Sequence, residues 1–466
     1  MKAWEYQLEM RRRAKPVDFT ENPRDWSASF EAFEYRKGML ALLWKSEVPG
    51  SRAPEALLHA AVQAWHNRGY DVSEAERIAE RGLKVCAGGD HGKLERITAE
   101  LMHALENAPK DPTHSCWSYN QPETWEEIMA CMPAMKESLE DHAEDVDDSD
   151  VERRILGGWT GQIVGGSYGT AMEGYTGDAI REAYGDRLNY YVAEPETYND
   201  DITYELAFLA AADEAGPGLS SRDIANKWLE LIPSGWSAEY FALENLRRGI
   251  YPPESGRFRN YYSEWIGAQM RTMVCGLVAP GDPLRAARYA YLDSVVSHEK
   301  NGVYAGIHSA VLTSLAFVVD DTRVLLKHAR DYVPDGTEFA SVLDDAMESV
   351  QANKDHIESY KRFEEKLKTY NWIHAYPNMV AVVHSLWYCR NDFDKALRIL
   401  ADCGADVDCN AGEVCCAMGA MNPDCIDPRW TEPFNNQLET YLPGFESMEI
   451  TALARWTYEI YRKLQA

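Results

Sequence analysis

Glycines at 157, 161, 165 and 169 recur at four-residue spacing. On an α-helix that interval puts them on one face, and a face without side chains lets a second backbone come close. The full stretch, GGWTGQIVGGSYGTAMEGYTGD at 157–178, has further glycines at 158, 166, 174 and 177. It is not a Walker A loop, because no Gly-Lys-Ser/Thr ends it. Nor does it read as a dinucleotide loop, since no strand precedes it. A second small-faced segment, CGADVDCNAGEVCCAMGAMNP at 403–423, carries Ala411, Gly412, Ala417, Gly419 and Ala420 and also suits close packing.

Helical signals dominate the rest. Ser73 followed by Glu76 has the form of a capping box, with Gly88 as the stop. Asp282 and Pro283 read as N-cap and first helical residue, and Leu284, Ala287, Tyr291, Leu292 and Val295 follow on one face. HGKLERITAELMHAL and EITALARWTYEIYRKLQ have the same periodicity. Alternating strands are scarce, so the expected class is all-α. The acidic stretch KESLEDHAEDVDDSD, 136–150, reads as a solvated linker or exposed helix end. It divides an N-terminal helical module, 1–140, from a body, 151–466. The aromatics of SCWSYNQPETWEEI, 115–128, could pack over a neighbouring cleft or a second copy, which leaves a homo-oligomer open.

The net charge of −28 argues against a nucleic-acid or anionic-membrane surface. No apolar run approaches a membrane span, so no membrane association is expected. The first residues, MKAWEYQLEMRRRAKPVDF, lack an apolar signal core. Ten scattered cysteines without a C-x-x-C read as reduced thiols of a cytoplasmic protein.

The chemistry-bearing residues are carboxylates. Asp200 and Asp201 open an apolar helix whose face is Ile202, Leu206, Leu209 and Ala210. One aspartate would serve as a cap; two adjacent anions need solvent, a basic partner or a cation. Asp406 and Asp408 would point the same way in an extended segment. They do not open an EF-hand, because Ala411 and Ala417 stand where glycine and a bidentate glutamate are required. Each pair read alone fits a capping turn. Together they offer four oxygen ligands at two helix mouths, which suits one or two hard divalent cations. Glu173 is the one carboxylate in the glycine-rich stretch and reads as a cap, a surface residue or a functional acid. Arg271, His298 and Asn301 lie among aromatics and glycines; a lone histidine here is a structural hydrogen-bonder or a catalyst.

The glycine-rich helix ending in Glu173, the pair at 200–201, the segments IGAQMR and SHEKNG, and GADVDCN with GAMNP occur in an order that resembles the ADP-ribosylglycohydrolases, over about 151–466. The N-terminal segment resembles the extension of a bacterial subgroup. The resemblance implies a compact orthogonal all-α bundle with two Mg²⁺ in a central cleft, and removal of ADP-ribose from a modified side chain or related acceptor. By the same resemblance, Asp200 and Asp201 match the first metal-binding pair, Asp406 and Asp408 the second, and Glu173 the acid beside the scissile bond. Gly267, Gln269 and Arg271 fall in the loop around the substrate's ribose and phosphates. Ser297 and His298 match a pair lining the cleft, with Asn301 and Tyr304 following them. Two positions depart from the pattern. Asn199 and Cys409 stand where threonine is usual; Asn offers a carbonyl oxygen, whereas the softer Cys409 shifts preference toward Mn²⁺. The expected activity is hydrolysis of a ribosyl C1–N or C1–O bond of an ADP-ribosylated or small-molecule substrate. The alternatives are another glycoside or nucleoside, or an inactive ligand-binding relative.

Overall fold

The computed structural model describes residues 31–135, 146 and 149–465, with side chains from 38 onward. The expected linker at 136–150 falls mostly outside the described residues, as does the N-terminal stretch examined for a signal core. The helices that matter below are α1 (Glu31–Trp44), α2 (Leu57–Asn67), α3 (Ser73–Ala87), α4 (His91–Glu106), α5 (Val151–Gly169), α6 (Asp200–Ala215), α7 (Ser237–Arg247), α8 (Pro283–Ser294), α9 (Asn301–Leu315), α10 (Ala375–Cys389), α11 (Phe393–Cys403), α12 (Val407–Met421) and α13 (Ile450–Gln465). Among the described residues the named strands form two small antiparallel hairpins, β1 (Ser46–Glu47) with β2 (Pro54–Glu55) and β3 (Gln437–Glu439) with β4 (Ser447–Glu449). The fold is all-α. No helix among the described residues is long and apolar enough to cross a membrane.

The caps follow the sequence in part. Asp282 accepts from the Arg285 amide with Pro283 behind it, and α3 ends at Gly88. Ser73, however, is not the cap of α3. The Asp71 carboxylate takes both the Ser73 amide, at 3.0 Å, and the Ser73 hydroxyl, at 2.5 Å, so the serine is spent inside the first turn. A carboxylate is the stronger acceptor for an orphan amide at a helix start.

The most extensive helix pair among the described residues is α5 against α12. A methyl group at Gly157 would lie 2.3 Å from the Gly419 carbonyl oxygen, at Gly161 2.0 Å from that of Cys415, at Gly165 2.2 Å from that of Ala411, and at Gly169 2.2 Å from the Asp408 Cα. The partners descend as the glycines ascend, so the helices run antiparallel in one fixed register. Gly419 reciprocates, its missing methyl falling 2.0 Å from the Gly157 oxygen.

Apolar packing is continuous from Leu43 to Leu464 and takes in Trp44, Leu57 and Leu101 along with Trp159, Val311 and Leu453. Polar contacts tie the described residues before 136 to the body. The Tyr262 hydroxyl donates to the Leu57 oxygen at 2.7 Å, Tyr304 to that of Pro122 at 2.6 Å, and Arg68 pairs with Glu299.

Replacing Gly161 by alanine forces a methyl into backbone that has no rotamer to yield. We expect a loss of about 1–3 kcal/mol by urea denaturation. Gly218, with nothing within 4 Å and no left-handed φ, is the control; its alanine variant should lose nothing measurable.

Candidate functional site

The register of α5 on α12 builds one side of the site. Gly169 ends α5 against Asp408, and the chain turns through Met172, whose amide donates to the Gly169 oxygen at 2.7 Å. The Gly174 amide then donates to the Ala405 oxygen at 2.9 Å, and the Ala405 amide to the Tyr175 oxygen at 3.1 Å. This clamp fixes half-buried Glu173 beside the strand of backbone that leads into Asp406.

The other side is the start of α6. Asn199, not an aspartate, is the N-cap: its Oδ1 accepts the Asp201 amide at 2.7 Å. The expected aspartate cap is thereby corrected, since a neutral amide does the capping and both carboxylates are left for other work. Asn199 Nδ2 also donates to Asp408 Oδ2 at 3.4 Å, and the Cys409 thiol lies 3.5 Å from Asp201 Oδ1. The helix mouths that bear the two aspartate pairs, distant in sequence, meet across these contacts. Asp406 occupies the N-cap position of α12 but makes no side-chain cap bond, and Asp408 is inside the first turn. The extended reading of 406–408 is therefore replaced by a helix mouth. Asn378 supports it: its Oδ1 accepts the Asp406 amide at 3.2 Å and Asn410 Nδ2 at 2.8 Å. Asp406 Oδ1 and Asp408 Oδ1 are buried without a hydrogen-bond partner. Ligand atoms of Asp406, Asp408 and Cys409 lie within 4.8 Å of one another.

Burial pushes Asp406 up to about 6. Glu173, Asp201 and Asp408 are driven well above the usual carboxylate range, first by burial and then by the charge of neighbouring aspartates, Asp200 and Asp406 among them. Asp200 is the exposed member, yet protein crowded around its carboxyl raises it too. Among the described residues no lysine or arginine is a leading influence on any of the five. The helix N-termini supply partial positive charge, but a group of this size calls for a cation or for protons.

The remaining sequence-derived residues are not all brought to this centre. Segment 266–271 reaches it through Met270, whose sulfur lies 3.8 Å from the Cys409 sulfur. Gln269 turns into the core and donates to Glu413 Oε2 at 2.7 Å. Arg271 does not face the site. Nε donates to Asp293 Oδ1 at 2.6 Å and Nη1 to Glu239 Oε1 at 2.9 Å and to the Gly267 carbonyl. Nη2 donates to Ser297 Oγ at 2.9 Å and the Asp293 oxygen at 3.4 Å, and the guanidinium sits 4.9 Å from the centre of the Trp228 ring. All five N–H groups are engaged, so none remains for a phosphate. Gly267 packs on the Glu239 carboxylate, where a methyl would stand 1.8 Å from Oε1.

Ser297 Oγ accepts from Arg271 and shares a hydrogen bond of 2.7 Å with His298 Nδ1. Burial and the Arg271 charge hold His298 neutral, and its Nε2 makes no hydrogen bond but lies 3.8 Å from Glu239 Oε1. Asn301 is spent on Glu264 Oε1 at 3.1 Å and the Phe339 amide at 3.2 Å, and Tyr304 on Pro122. Both lie under the 115–128 segment rather than beside the aspartates.

Sequence reasoning missed several supporting residues. Glu205, one turn after Asp201, accepts from Gln162 Nε2 at 2.7 Å and the Val274 amide at 3.2 Å. A carboxylate on an otherwise apolar helix face was its signal. Tyr441 stands 3.2 Å from Thr203 Oγ1, and Thr203 donates to the Asp200 oxygen at 2.6 Å; no local pattern marks it.

The family model described as ADP-ribosylglycohydrolase matches residues 147–465. The chain belongs to that family. No curated protein matches the chain in sequence. A solved structure described as an ADP-ribosylglycohydrolase-related protein complex is similar, with a TM-score of 0.49 and 18% identity over 68% of this chain and 99% of that one.

Burial raises Glu413 to about 8. The native state therefore holds a proton that the unfolded chain releases near its ordinary carboxylate value. Stability from this group is full below that value and falls as pH rises toward 8. Glu413→Gln should match the parent near pH 4 and exceed it progressively to pH 8, as a flatter curve of unfolding free energy against pH.

Proposed function

We propose that this member of the ADP-ribosylglycohydrolase family hydrolyses the bond between ribose C1 and a nitrogen or oxygen of an ADP-ribosylated substrate, using two divalent cations. The observation that carries the reading is the meeting of Asp200 and Asp201 with Asp406 and Asp408, where two buried carboxylate oxygens have no partner. The donor set fits a hard cation: oxygens from the four aspartates, with the Asn199 amide alongside. Mg²⁺ is the natural occupant, and Cys409, a soft donor beside Asp201, tilts the site toward Mn²⁺.

Bound cations would supply charge neutralisation and Lewis-acid polarisation of the ribose hydroxyls. The chain's own residues do the rest. Glu173 would take a proton from the water attacking C1, a task helped by a carboxyl raised toward neutrality. Its charge also faces the positive character that builds on the ring as the bond to the leaving atom lengthens. Asn199 and Asn378 hold the aspartates in place. In this reading 151–466 carries the chemistry and 1–140 shapes access, in a cytoplasmic protein. The described cysteines are all unpaired, which suits a reducing compartment.

The engagement of Arg271 within the core favours one second reading, a glycoside or nucleoside without a diphosphate. Incubation of the full chain with ADP-ribosylated arginine and serine peptides, O-acetyl-ADP-ribose and a nucleoside panel, with and without Mg²⁺, separates the two. Turnover of nucleosides alone would overturn the first.

Glu173→Gln should lower kcat about 10²–10⁴-fold without lowering the melting temperature, since it removes one charge from the same crowded group. Asp408→Asn should raise the melting temperature of metal-free protein, by relieving repulsion, and abolish the further rise that Mg²⁺ produces. Cys409→Thr should raise the ratio of Mg²⁺- to Mn²⁺-supported activity; an unchanged ratio would remove the thiol from the metal environment.

A further inference from the structure

The family match begins at 147, but a hairpin from well before that point is seated against the Glu173 loop. In it Ser46 pairs with Glu55 and Glu47 with Pro54, and the Val48 amide closes the turn on the Ala53 oxygen at 2.9 Å. Gly50 lies on Thr170, where a methyl would come 2.1 Å from Cγ2. Ala53, fully buried, lies 2.8 Å from the point where a Gly174 methyl would stand. The Tyr175 hydroxyl donates to the Ser51 oxygen at 3.1 Å. Residues 170, 174 and 175 bracket Glu173, so the hairpin touches the loop on both sides of it.

The hairpin's last residue is anchored to the body. Glu55 Oε2 accepts from Ser46 Oγ at 3.1 Å and from Trp236 Nε1 at 2.8 Å. Trp236 is the residue from which α7 begins, and α7 carries Glu239, on which the Gly267 loop packs. Glu55 is half-buried, and its Oε1 has no hydrogen-bond partner among the described residues. Burial raises its carboxyl, and the Asp406 charge adds to the rise.

We propose that the β1–β2 hairpin is the wall of the site that selects the leaving group, and that Glu55 is its specificity-determining residue, accepting a hydrogen bond from an N–H or O–H of the group that departs from ribose C1. The inference rests on the glycohydrolase reading above. A carboxylate is unsuited to the diphosphate side of the substrate, where like charges repel. It suits the opposite side of C1, beyond the loop that holds Glu173. A leaving group with donors beside the scissile atom would gain a charge-assisted bond there, and a leaving group with acceptors alone would gain none.

The test uses full-length wild type, Glu55→Ala and Glu55→Gln with an ADP-ribosylated arginine peptide, an ADP-ribosylated serine peptide and O-acetyl-ADP-ribose. Free ADP-ribose, which has no leaving group, is the inhibitor control. In Glu55→Ala the ratio of kcat/KM for the arginine peptide to that for O-acetyl-ADP-ribose should fall at least tenfold. Glu55→Gln keeps an acceptor oxygen without the charge and should fall by a smaller factor, about threefold. Inhibition by ADP-ribose should move less than twofold in both. If the alanine variant does not fold, the glutamine variant decides. An unchanged ratio, or ADP-ribose inhibition weakened as much as turnover, would overturn the inference. So would a wild-type preference for O-acetyl-ADP-ribose over both peptides, which leaves the proposed function standing. Absence of turnover of all three by wild type would overturn both together.

Discussion

The backbone-on-backbone contact of α5 with α12 is the constraint on which the site depends. Glycine costs about 1 kcal/mol relative to alanine inside a helix, so four on one face are an expense that packing must offset. In return the helices approach until carbonyl oxygens of α12 lie where methyl groups of α5 would be. The register is then fixed along the whole contact, because a shifted helix would put side chains where only glycine fits. One end of that register sets Gly169 against Asp408 and delivers the chain to Glu173. An ordinary helix pair at the usual 8–10 Å separation would leave the acid loop and the second aspartate pair farther apart.

Asparagines take over the tasks that aspartates usually perform at helix starts. Asn199 caps α6, and Asn378 receives the Asp406 amide and steadies Asn410. A carboxylate that caps is partly neutralised by backbone amides. Relieved of that duty, the aspartates keep oxygen atoms unsatisfied in a buried setting, which is costly without a counter-charge. Asn199 therefore serves the cap with its amide oxygen and leaves the carboxylates of α6 free of that duty.

Local patterns revealed what local physics decides. The glycine face, the Asp282 cap, the Gly88 stop and the helical class all follow from spacing and backbone preference, and the structure has them. The two aspartate pairs were visible as pairs, and their meeting needed the tertiary register of α5 and α12. Arg271 shows where sequence reasoning stops. The resemblance puts Arg271 in the loop around the substrate's ribose and phosphates, whereas Glu239 and Asp293, on other elements, engage it in the core. The Ser73 cap failed for a smaller reason of the same kind, a competing carboxylate two residues earlier. Tyr441 and the β1–β2 hairpin gave no signal because their contacts are remote in sequence and their own residues are unremarkable.

The buried ionic cluster around Arg271 gives that loop its rigidity. Breaking one partner of such a cluster strands a charge in the core, so its members hold one arrangement. Glu239 is both a partner of Arg271 and the surface on which Gly267 rests, which fixes segment 266–271 at two points. Met270 carries that rigidity to Cys409 and the aspartates, while Trp236, at the start of the helix bearing Glu239, holds Glu55. The hairpin, the arginine cluster and the aspartate centre thus share one continuous set of contacts. An N-terminal segment outside the family match is in this way built into the support of the same centre.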